Sequence, residues 1–491
     1  GPVAPWQVPR RQVALLETSV SGSSRRDFLK AGLLGAGTLS FGLLAYSQYR
    51  ADRQGRGIPE PMGALSPVAD ESTGLPLLLL PEGFRYRSLS WAGSKLHDGY
   101  SVPGAADGMG VVQQDGTRVT LVRNHELQGS SGPMGDPAHA YDTMPGGTTT
   151  LVFDTATERL VDSWVSLSGT LFNCAGGVTP WNTWLSCEEA PLSPALAHLR
   201  KSRKQFFWDV DGARKEHGFV FEVPASGVAR PEPIYAMGQF YHEAVAIDPT
   251  SGIAYMTEDN GPNAGFYRYI PEVAGRLSAG GRLQMMKVEQ RPDMTDYLQP
   301  GVEMDVSWVD IPNPAQGFTA GNRNGDGVVS QGLAAGGSRF VGLEGCAFAE
   351  GRVYFSSKLG GRAMAGYILE YDPQREKIWL IFESTGHDDF SGPDNLVVSP
   401  RVCLVVCEDR LTTHKDAQIV AGLTREGEFF RFCQVNPDLR GDYGGHDLAE
   451  TARKSEWAGA TFSQDGAWLF LNIYSPGVTL AITGPWQEGY L

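Results

Sequence analysis

The chain has 491 residues, 41% hydrophobic and 20% charged, a composition that excludes wholesale disorder. Its 61 glycines and 31 prolines follow no G-X-Y period, which excludes collagen and favours an all-β protein with many tight turns. The formal net charge is −15, and because residues 1–56 are net basic, the remainder is more acidic still and a nucleic-acid partner is not expected.

Residues 1–56 are predicted to be a twin-arginine signal segment and linker. Residues 24–30 (SRRDFLK) precede an uncharged stretch, 31–45, that is rich in Gly, Ala and Leu. A basic region followed by a short apolar run is typical of exported proteins, and this run is too short for an ordinary membrane span. An uncleaved N-terminal anchor remains an alternative. We therefore expect a periplasmic or secreted protein that meets the twin-arginine translocase during export.

Residues 75–488 are predicted to form a single domain built from six repeated units. Each unit begins with a strand that opens on an acid or a cysteine, followed by small and apolar residues. The six opening residues are Asp107, Cys174, Glu243, Glu344, Asp394 and Glu456. A second apolar strand returns and ends in polar groups, 14 to 16 residues after the opening residue in five units and 19 in the first. These ends are at Glu126, Glu188, Glu258, Lys358, Glu408 and Asn472.

A third strand follows most of these pairs, and a fourth is visible in places. Four antiparallel strands repeated six times predict an all-β fold, a six-bladed β-propeller. The last unit lacks its own outer strand, and we expect residues 83–89 to supply it. Two segments, 190–217 and 292–340, are predicted to be loop insertions on one face of the ring. A pair of β-sandwiches is the alternative fold.

The repeat predicts a metal site. In a propeller the innermost strand of each blade lines the central channel, so the six opening residues and the ends of the second strands would converge at one mouth. The nine carboxylates among them would repel one another unless cations are bound. Carboxylates suit Ca²⁺ or Mg²⁺, whereas the Cys174 thiolate suits a transition metal such as iron or zinc. The alternative is that these acids lie on loop tips and are solvated.

Two further residues are candidates for substrate contact. Lys358 is a cation where the other units carry acids, and it would hold an anionic substrate oxygen or form a structural salt bridge. Asn124 is a weaker candidate. His125, His217 and His242 lie beside glycines or acids, but isolated histidines of this kind are more often structural than functional.

Several segments resemble the PhoX alkaline phosphatases. They are the twin-arginine leader, 123–126 (RNHE), 173–189 (NCAGGVTPWNTWLSCEE), 217–222 (HGFVFE), 242–244 (HEA) and 477–486. The resemblance covers roughly residues 75–488, and its most specific part is the block 174–189.

The resemblance implies a secreted six-bladed propeller that hydrolyses phosphate monoesters at an axial iron–calcium cluster. It further implies that Cys174 binds iron, that Asn124 contacts phosphate, and that Glu188, Glu243 and Glu344 bind metal. The chain differs from the larger members, which carry Arg-Pro where Gly342 and Leu343 precede Glu344, so it resembles a shorter branch of the family.

The predicted function is therefore a secreted phosphatase that uses Ca²⁺ and Fe³⁺ and acts as a monomer on phosphorylated small molecules. Two alternatives remain open: a calcium-dependent lactonase or esterase, and a non-catalytic periplasmic propeller that binds calcium only for stability.

Overall fold

The structure is a computed structural model that describes residues 60–194, 212–296, 298–317, 327–386, 390–410, 417–424, 428–487 and 490–491. The predicted leader, 1–56, lies outside these residues. Regular structure in the described part is almost entirely β-strand, which confirms the all-β prediction. The exceptions are a short α-helix, α1 (Val329–Ala334), and 3-10 turns at Pro137–His139, Tyr235–Met237, Leu277–Ala279 and Ala452–Lys454. None of the described helices is long and apolar enough to cross a bilayer.

The first ten strands contribute to four sheets. They are β1 (Ser66–Val68), β2 (Leu78–Leu80), β3 (Arg85–Trp91), β4 (Ala106–Asp115), β5 (Arg118–His125), β6 (Gly146–Asp154), β7 (Arg159–Thr170), β8 (Asn173–Val178), β9 (Thr183–Glu188) and β10 (Val220–Pro224). Strands β4 to β7 form a four-stranded antiparallel sheet in chain order, and β8 to β10 form a three-stranded one.

The next nine strands form one large sheet, in the order β11-β12-β13-β14-β15-β19-β18-β17-β16. They are β11 (His242–Ile247), β12 (Ala254–Glu258), β13 (Phe266–Pro271), β14 (Gly281–Val288), β15 (Met304–Asp310), β16 (Leu343–Ala349), β17 (Arg352–Ser357), β18 (Tyr367–Asp372) and β19 (Lys377–Glu383).

The last nine strands complete the remaining sheets. They are β20 (Pro393–Val398), β21 (Leu404–Glu408), β22 (Ile419–Leu423), β23 (Phe429–Val435), β24 (Asp442–Tyr443), β25 (His446–Asp447), β26 (Trp457–Phe462), β27 (Leu469–Ile473) and β28 (Val478–Thr483). Strands β20 to β23 form a sheet that β2 and β1 extend at its outer edge, and β24 pairs only with β25. Strands β26 to β28 form a four-stranded sheet with β3.

These sheets have a propeller-like arrangement. The first strands of the predicted units are β4, β8, β11, β16, β20 and β26, and we call them the inner strands. Each inner strand contacts the next in this order, and β26 contacts β4. From each inner strand, antiparallel partners lead outward. The division into sheets is coarser than predicted, because the third and fourth units share the nine-stranded sheet.

The outer edge of the last unit is closed by an N-terminal strand. Strand β3 pairs antiparallel with β28 from Val478↔Trp91 to Thr483↔Arg85. The sequence placed this strand at 83–89, so the prediction that the two ends of the domain share one sheet is confirmed.

The prediction that residues 292–340 form only a loop is wrong. Strand β15 lies within this segment and pairs with β14 along Gln284↔Asp310 to Val288↔Val306. Its first residues also pair with β19, at Met304↔Ile378 and Asp305↔Lys377, and this joins the sheets of the third and fourth units. The loop prediction rested on the many Pro, Gly and Asn residues of this segment and overlooked the alternation of apolar and polar side chains along Met304–Trp308.

Glycines after the opening residues allow the inner strands to approach closely. A Cβ atom on Gly345 would lie 2.5 Å from the Leu396 nitrogen and 2.6 Å from the Asp394 oxygen on the next inner strand. A Cβ on Gly177 would overlap the Val245 oxygen on its own neighbouring strand. The small residues seen in the repeat are therefore required by packing around the ring.

Candidate metal centre

Five of the six predicted opening residues occupy equivalent positions. Each is the second residue of its inner strand and lies where a β-bulge shifts the strand register. They are Asp107, Cys174, Glu243, Glu344 and Asp394, and their exposure is between 1% and 9%. Bulges re-aim side chains at the ends of strands, and here they direct five ligating groups toward one another.

Cys174 contacts two of the other opening residues. Its Sγ is 3.1 Å from Glu243 Oε1 and 3.5 Å from Asp107 Oδ2. Burial, followed by the charges of Asp107 and Glu243, raises the pKa of the Cys174 thiol well above its usual value. Without a cation the sulfur is therefore a thiol that donates to carboxylates, and a bound metal would be needed to stabilise the thiolate.

A second set of side chains comes from the ends of the second strands. In all six units the last residue of the second strand pairs with the first residue of the inner strand, and we call it the anchor residue. The anchors are His125, Glu188, Glu258, Ser357, Glu408 and Ile473. The residue after each anchor is the inward residue. The inward residues are Glu126, Glu189, Asp259, Lys358, Asp409 and Tyr474.

The inward residues interact with the opening residues. Ligand atoms of Asp107, Glu126 and Cys174 lie within 4.8 Å of one another, as do those of Cys174, Glu189 and Glu243. A third triad of the same size joins the opening residues Glu243, Glu344 and Asp394. These three triads share members, so they form a continuous chain of ligating groups.

The structure places Glu188, Glu258 and Glu408 outside this cluster, in contrast to the sequence prediction. Glu188 accepts hydrogen bonds from the backbone N–H groups of Leu171, Gly218 and Phe219 and lies 2.7 Å from a ring nitrogen of His217. Glu258 and Glu408 also accept bonds from backbone N–H groups of neighbouring segments. Successive residues of a strand point to opposite faces, so the next residue in each case faces the cluster instead.

The fourth unit contained the signal that locates the missed acids Glu189, Asp259 and Asp409. There the pair Ser357-Lys358 occupies the place of Glu-acid pairs in three other units, and only its second member is charged. Alignment of the other units on Lys358 selects the second acid of each pair. A spacing of 14 or 15 residues from the opening residue selected the first acid of each pair instead.

The predicted register of Glu456 is also wrong, although Glu456 reaches the same place. In the last unit Trp457 pairs with Ile473, so Ala458 stands at the opening position and Tyr474 at the inward position. Glu456 lies two residues earlier, hydrogen-bonds to Asp409 and interacts electrostatically with Asp107. Tyr474, which the sequence did not single out, hydrogen-bonds to Glu126.

These groups together define the acidic cluster. Its members are Asp107, Glu126, Cys174, Glu189, Glu243, Asp259, Glu344, Lys358, Asp394, Asp409, Glu456 and Tyr474. Burial, followed by neighbouring carboxylates, raises the pKa values of Asp107, Glu243, Glu344 and Glu456 well above the usual range. Nine carboxyl groups in one place cannot all be ionised without bound cations.

Lys358 provides a positive charge inside the cluster. Its Nζ lies 3.1 Å from Glu344 Oε1, 3.2 Å from Asp394 Oδ2 and 2.8 Å from Asp409 Oδ2. Burial opposes its charge, but Asp409 and the other carboxylates outweigh burial and raise the pKa of Lys358 well above its usual value. One ammonium group compensates only a small part of the charge of nine carboxylates.

The donor set fits bound metal ions. Glu243 Oε2 is buried and has no hydrogen-bond partner among the described residues. Pairs of carboxyl groups, such as Glu126 with Glu189 and Glu189 with Asp259, are close enough to share a proton. Carboxylate oxygens are the ligands that Ca²⁺ prefers, and a buried sulfur among them suits a softer metal.

Asn124 lies outside the acidic cluster. Its Nδ2 donates to the backbone oxygens of Cys174 at 3.1 Å and Ala175 at 2.7 Å, and its Oδ1 accepts from Trp184 and Ser186. All four hydrogen-bonding positions of the amide are used, so the expectation that Asn124 contacts phosphate is not supported. Asn124 instead fixes the backbone of the strand that carries Cys174.

A channel continues from the cluster along the inner strands. A cavity of about 350 Å³ is lined by small and apolar residues that follow the opening positions, among them Gly108, Ala175, Ala244, Gly345 and Leu396. Its lining also includes polar side chains, among them Glu350, Asn395 and Ser399, so the channel wall is a mixture of polar and apolar surface.

Comparison with protein families gives a match over most of the chain. The sequence profile of the family described as "Alkaline phosphatase PhoX" matches residues 63–159 and 143–477, which together are more than half of the chain. A sequence search of curated proteins returned no match.

Solved structures resemble the fold. The structure of Pseudomonas fluorescens PhoX in complex with vanadate, a transition state analogue, aligns with a TM-score of 0.61 at 17% identity, over 86% of this chain and 98% of that one. A gluconolactonase from Xanthomonas campestris aligns with a TM-score of 0.38 at 12% identity, over 88% of this chain and 100% of that one. At 17% identity the likeness to the Pseudomonas fluorescens protein concerns the fold alone.

Proposed function

Because the chain belongs to the alkaline phosphatase PhoX family, we propose that it is a metal-dependent phosphatase that hydrolyses phosphate monoesters at the acidic cluster. The observation that carries this proposal is the set of three overlapping triads of ligand atoms around Cys174, Glu243 and Glu344. Such a concentration of buried carboxylates is suited to hold several cations next to a phosphoryl group.

The chemistry of the donors divides the cluster between two kinds of metal. We propose that Cys174, with Asp107, Glu126, Glu189 and Glu243, holds iron as Fe³⁺. The carboxylates that contribute to Ca²⁺ sites would be Glu189, Glu243, Asp259, Glu344, Asp394 and Asp409. When bound, the cations would polarise the phosphoryl oxygens and neutralise the charge that develops during hydrolysis.

Lys358 is the chain's own group for orienting the phosphate. Its side chain and that of Asp409 are 14% and 18% exposed, whereas Glu344 on its other side is 2% exposed. The ammonium group would exchange Asp409 for a phosphoryl oxygen and keep its bond to Glu344.

The remaining predictions complete the proposal. A six-bladed count is supported by the closed series of contacts among the six inner strands. Residues 75–488 would then be one domain, preceded by the twin-arginine segment and linker of residues 1–56. The protein would be exported to the periplasm or beyond and act as a monomer on phosphorylated small molecules.

The decisive experiment measures metals and turnover on one sample. Protein exported in its native host is analysed for iron and calcium by mass spectrometry, and hydrolysis of p-nitrophenyl phosphate is recorded beside a panel of chromogenic esters and lactones. We expect both metals together with phosphatase activity. Ester or lactone hydrolysis alone, or calcium without any turnover, would contradict the proposal.

Two variants locate the activity. Cys174→Ala and Glu344→Gln should abolish hydrolysis, and Cys174→Ala should also lose iron. Cys433→Ala is the matched control. Cys433 is also a fully buried cysteine, but it lies outside the acidic cluster, in a hydrophobic core that joins N-terminal and C-terminal strands of the described chain. Undiminished hydrolysis by a correctly folded Cys174→Ala variant would refute the assignment.

A further inference from the structure

The anchor residues have no role in the proposed chemistry. Three of them are nevertheless buried glutamates, and in five units the residue that follows the anchor is charged. Glu188, Glu258 and Glu408 are fully buried, and each is followed directly by an inward acid. A buried carboxylate is costly unless it is well hydrogen-bonded, so its repeated occurrence at one position requires an explanation.

We infer that Glu188, Glu258 and Glu408 are positioning residues. Each of them orients the next residue of the chain, an inward acid, toward the acidic cluster. This inference rests on the proposed function, because it assigns the inward acids Glu189, Asp259 and Asp409 to the metal site.

Glu188 joins three segments of its unit. Its Oε1 accepts a hydrogen bond from Leu171 N at 2.8 Å, just before β8, and its Oε2 accepts from Gly218 N at 2.8 Å and Phe219 N at 3.2 Å, just before β10. With both oxygens bound, the side chain cannot rotate without losing several bonds. Because Glu189 is the next residue along the chain, its direction is fixed by the same contacts.

A buried histidine, His217, connects Glu188 to a second carboxylate, Asp142. His217 is fully buried, with one ring nitrogen 2.7 Å from Glu188 Oε1 and the other 3.2 Å from Asp142 Oδ2. Asp142 in turn accepts hydrogen bonds from the backbone N–H groups of Arg214 and Lys215. The anchor of the second unit is therefore connected to the segment that immediately precedes β10.

The other two glutamate anchors make equivalent contacts. Glu408 accepts from Ser391 N at 3.0 Å, just before β20, and from Ile419 N at 2.9 Å at the start of β22. Glu258 accepts from Gly265 N at 2.8 Å, just before β13, and from the Tyr267 hydroxyl at 2.7 Å. In each case the carboxylate ties the second strand to the beginning of the third.

The remaining units provide an internal comparison. His125 and Ser357 are polar anchors that contact the backbone before their own inner strands, at Gly104 and Val341, and they precede the charged residues Glu126 and Lys358. In the last unit the equivalent position is Ile473, and it precedes the neutral Tyr474. Polar anchors thus accompany charged inward residues in five units, and the apolar anchor accompanies an uncharged one.

Calcium titration by calorimetry tests the inference on the full chain after metal removal. Glu188→Gln, Glu258→Gln and Glu408→Gln should each weaken calcium binding about 10- to 100-fold, the usual effect of removing a residue that orients a ligand. Glu383→Gln is the matched control, because Glu383 is also a buried glutamate that accepts a backbone hydrogen bond, from Arg362 N, but lies outside the cluster. Unchanged calcium affinity in the folded anchor variants, or an equal loss in the control, would overturn the inference.

A double variant distinguishes positioning from general stability. If Glu188 acts through Glu189, calcium affinity should be the same in Glu189→Gln and in Glu188→Gln/Glu189→Gln; a further loss in the double variant would overturn the inference. If Glu188→Gln does not fold, His217→Gln retains the carboxylate and removes one of its partners. It should weaken calcium binding by a smaller factor, and unchanged affinity would count against the inference.

The same titration separates this inference from the proposed function. Calcium binding by the wild type, weakened in the anchor variants, without hydrolysis of any phosphate monoester would refute the function and support the inference. Calcium binding that the anchor variants leave unchanged, in an active phosphatase, would refute the inference alone. Absence of calcium binding by the wild type would refute both.

Discussion

Lys358 Nζ lies 2.8 Å from Asp409 Oδ2, and this ion pair is on the more exposed side of the acidic cluster. A dianionic phosphate entering the cluster would compete with Asp409 for the ammonium group. This relationship separates the two roles that the sequence leaves open for Lys358, because only a substrate contact affects the binding of free phosphate.

Lys358→Met is therefore expected to raise the inhibition constant of inorganic phosphate at least tenfold, in line with the loss of a hydrogen bond to a charged group. The control is Lys377→Met, which removes an exposed lysine paired with Asp305 at the surface. Inhibition assays with p-nitrophenyl phosphate give both constants. An unchanged constant in Lys358→Met would show that the lysine is only a structural salt bridge.

Metal removal should destabilise the protein, because nine carboxyl groups would then face one another with little compensation. A ligand at 100 times its dissociation constant stabilises the folded state by about 3 kcal/mol per site. We expect chelation to lower the melting temperature and added calcium to restore it. Sodium at equal ionic strength should not restore it, and a melting temperature that responds equally to both salts would indicate simple screening.

His217 should make stability depend on pH. Burial disfavours its charge, but Glu188 and Asp142 outweigh burial and raise the pKa of His217 to about 9. Since the folded pKa exceeds the unfolded one, this contribution is complete below about pH 6.5 and is lost as the pH rises through 9. The loss is on the order of 3 kcal/mol.

Urea unfolding of calcium-saturated protein at pH 6 and pH 9 measures this dependence. The free energy of unfolding should fall between the two values in the wild type and change less in His217→Gln. Parallel curves for the two proteins would contradict the prediction.

Glu370 should also make stability fall as the pH rises, in this case at a site away from the cluster. Burial raises the pKa of Glu370 to about 7, although Arg352 at 3.5 Å partly opposes this shift. Ionisation of this buried carboxyl group therefore costs stability as the pH rises through 7. Glu370→Gln should be more stable relative to the wild type at pH 8 than at pH 5, by about 1 to 3 kcal/mol. Thermal unfolding at the two pH values provides the test, and an equal difference at both would contradict it.

Because the inner strands approach one another closely, a larger side chain at one of their glycines should lower the stability of the protein. Gly345→Ala places a methyl group against the backbone of Asp394 and Leu396, and this overpacking should cost about 1 to 3 kcal/mol. Gly261→Ala is the control, because nothing lies within 4 Å of its added Cβ. Equal stabilities for the two variants, measured by thermal unfolding, would show that the neighbouring strands separate at little cost.

The sequence predicted the fold class and the opening residues of the site, because both depend on a local pattern. An acid or cysteine followed by small residues marks an inner strand, and five of six opening residues were identified in this way. The closing strand β3 was also recognised, since the last unit visibly lacked a partner.

What the sequence missed depends on register and on tertiary pairing. A shift of one residue on a strand exchanges the two faces, so Glu188 and Glu189 cannot be told apart by composition. Glu456 was misplaced because an acid directly before the strand resembles the opening acids, whereas the pairing of Trp457 with Ile473 puts Ala458 at the opening position. Asn124 resembles a substrate contact until its four partners on the neighbouring strands are known.

The pairing of β3 with β28 has a consequence for biosynthesis. Asp107 is synthesised well before Glu456 and Tyr474. The cluster draws on all three residues, so the nascent protein cannot complete its cation-binding pocket until Tyr474 has been synthesised. A chain truncated before residue 456 would lack both of the later members, together with strand β28, the partner of β3.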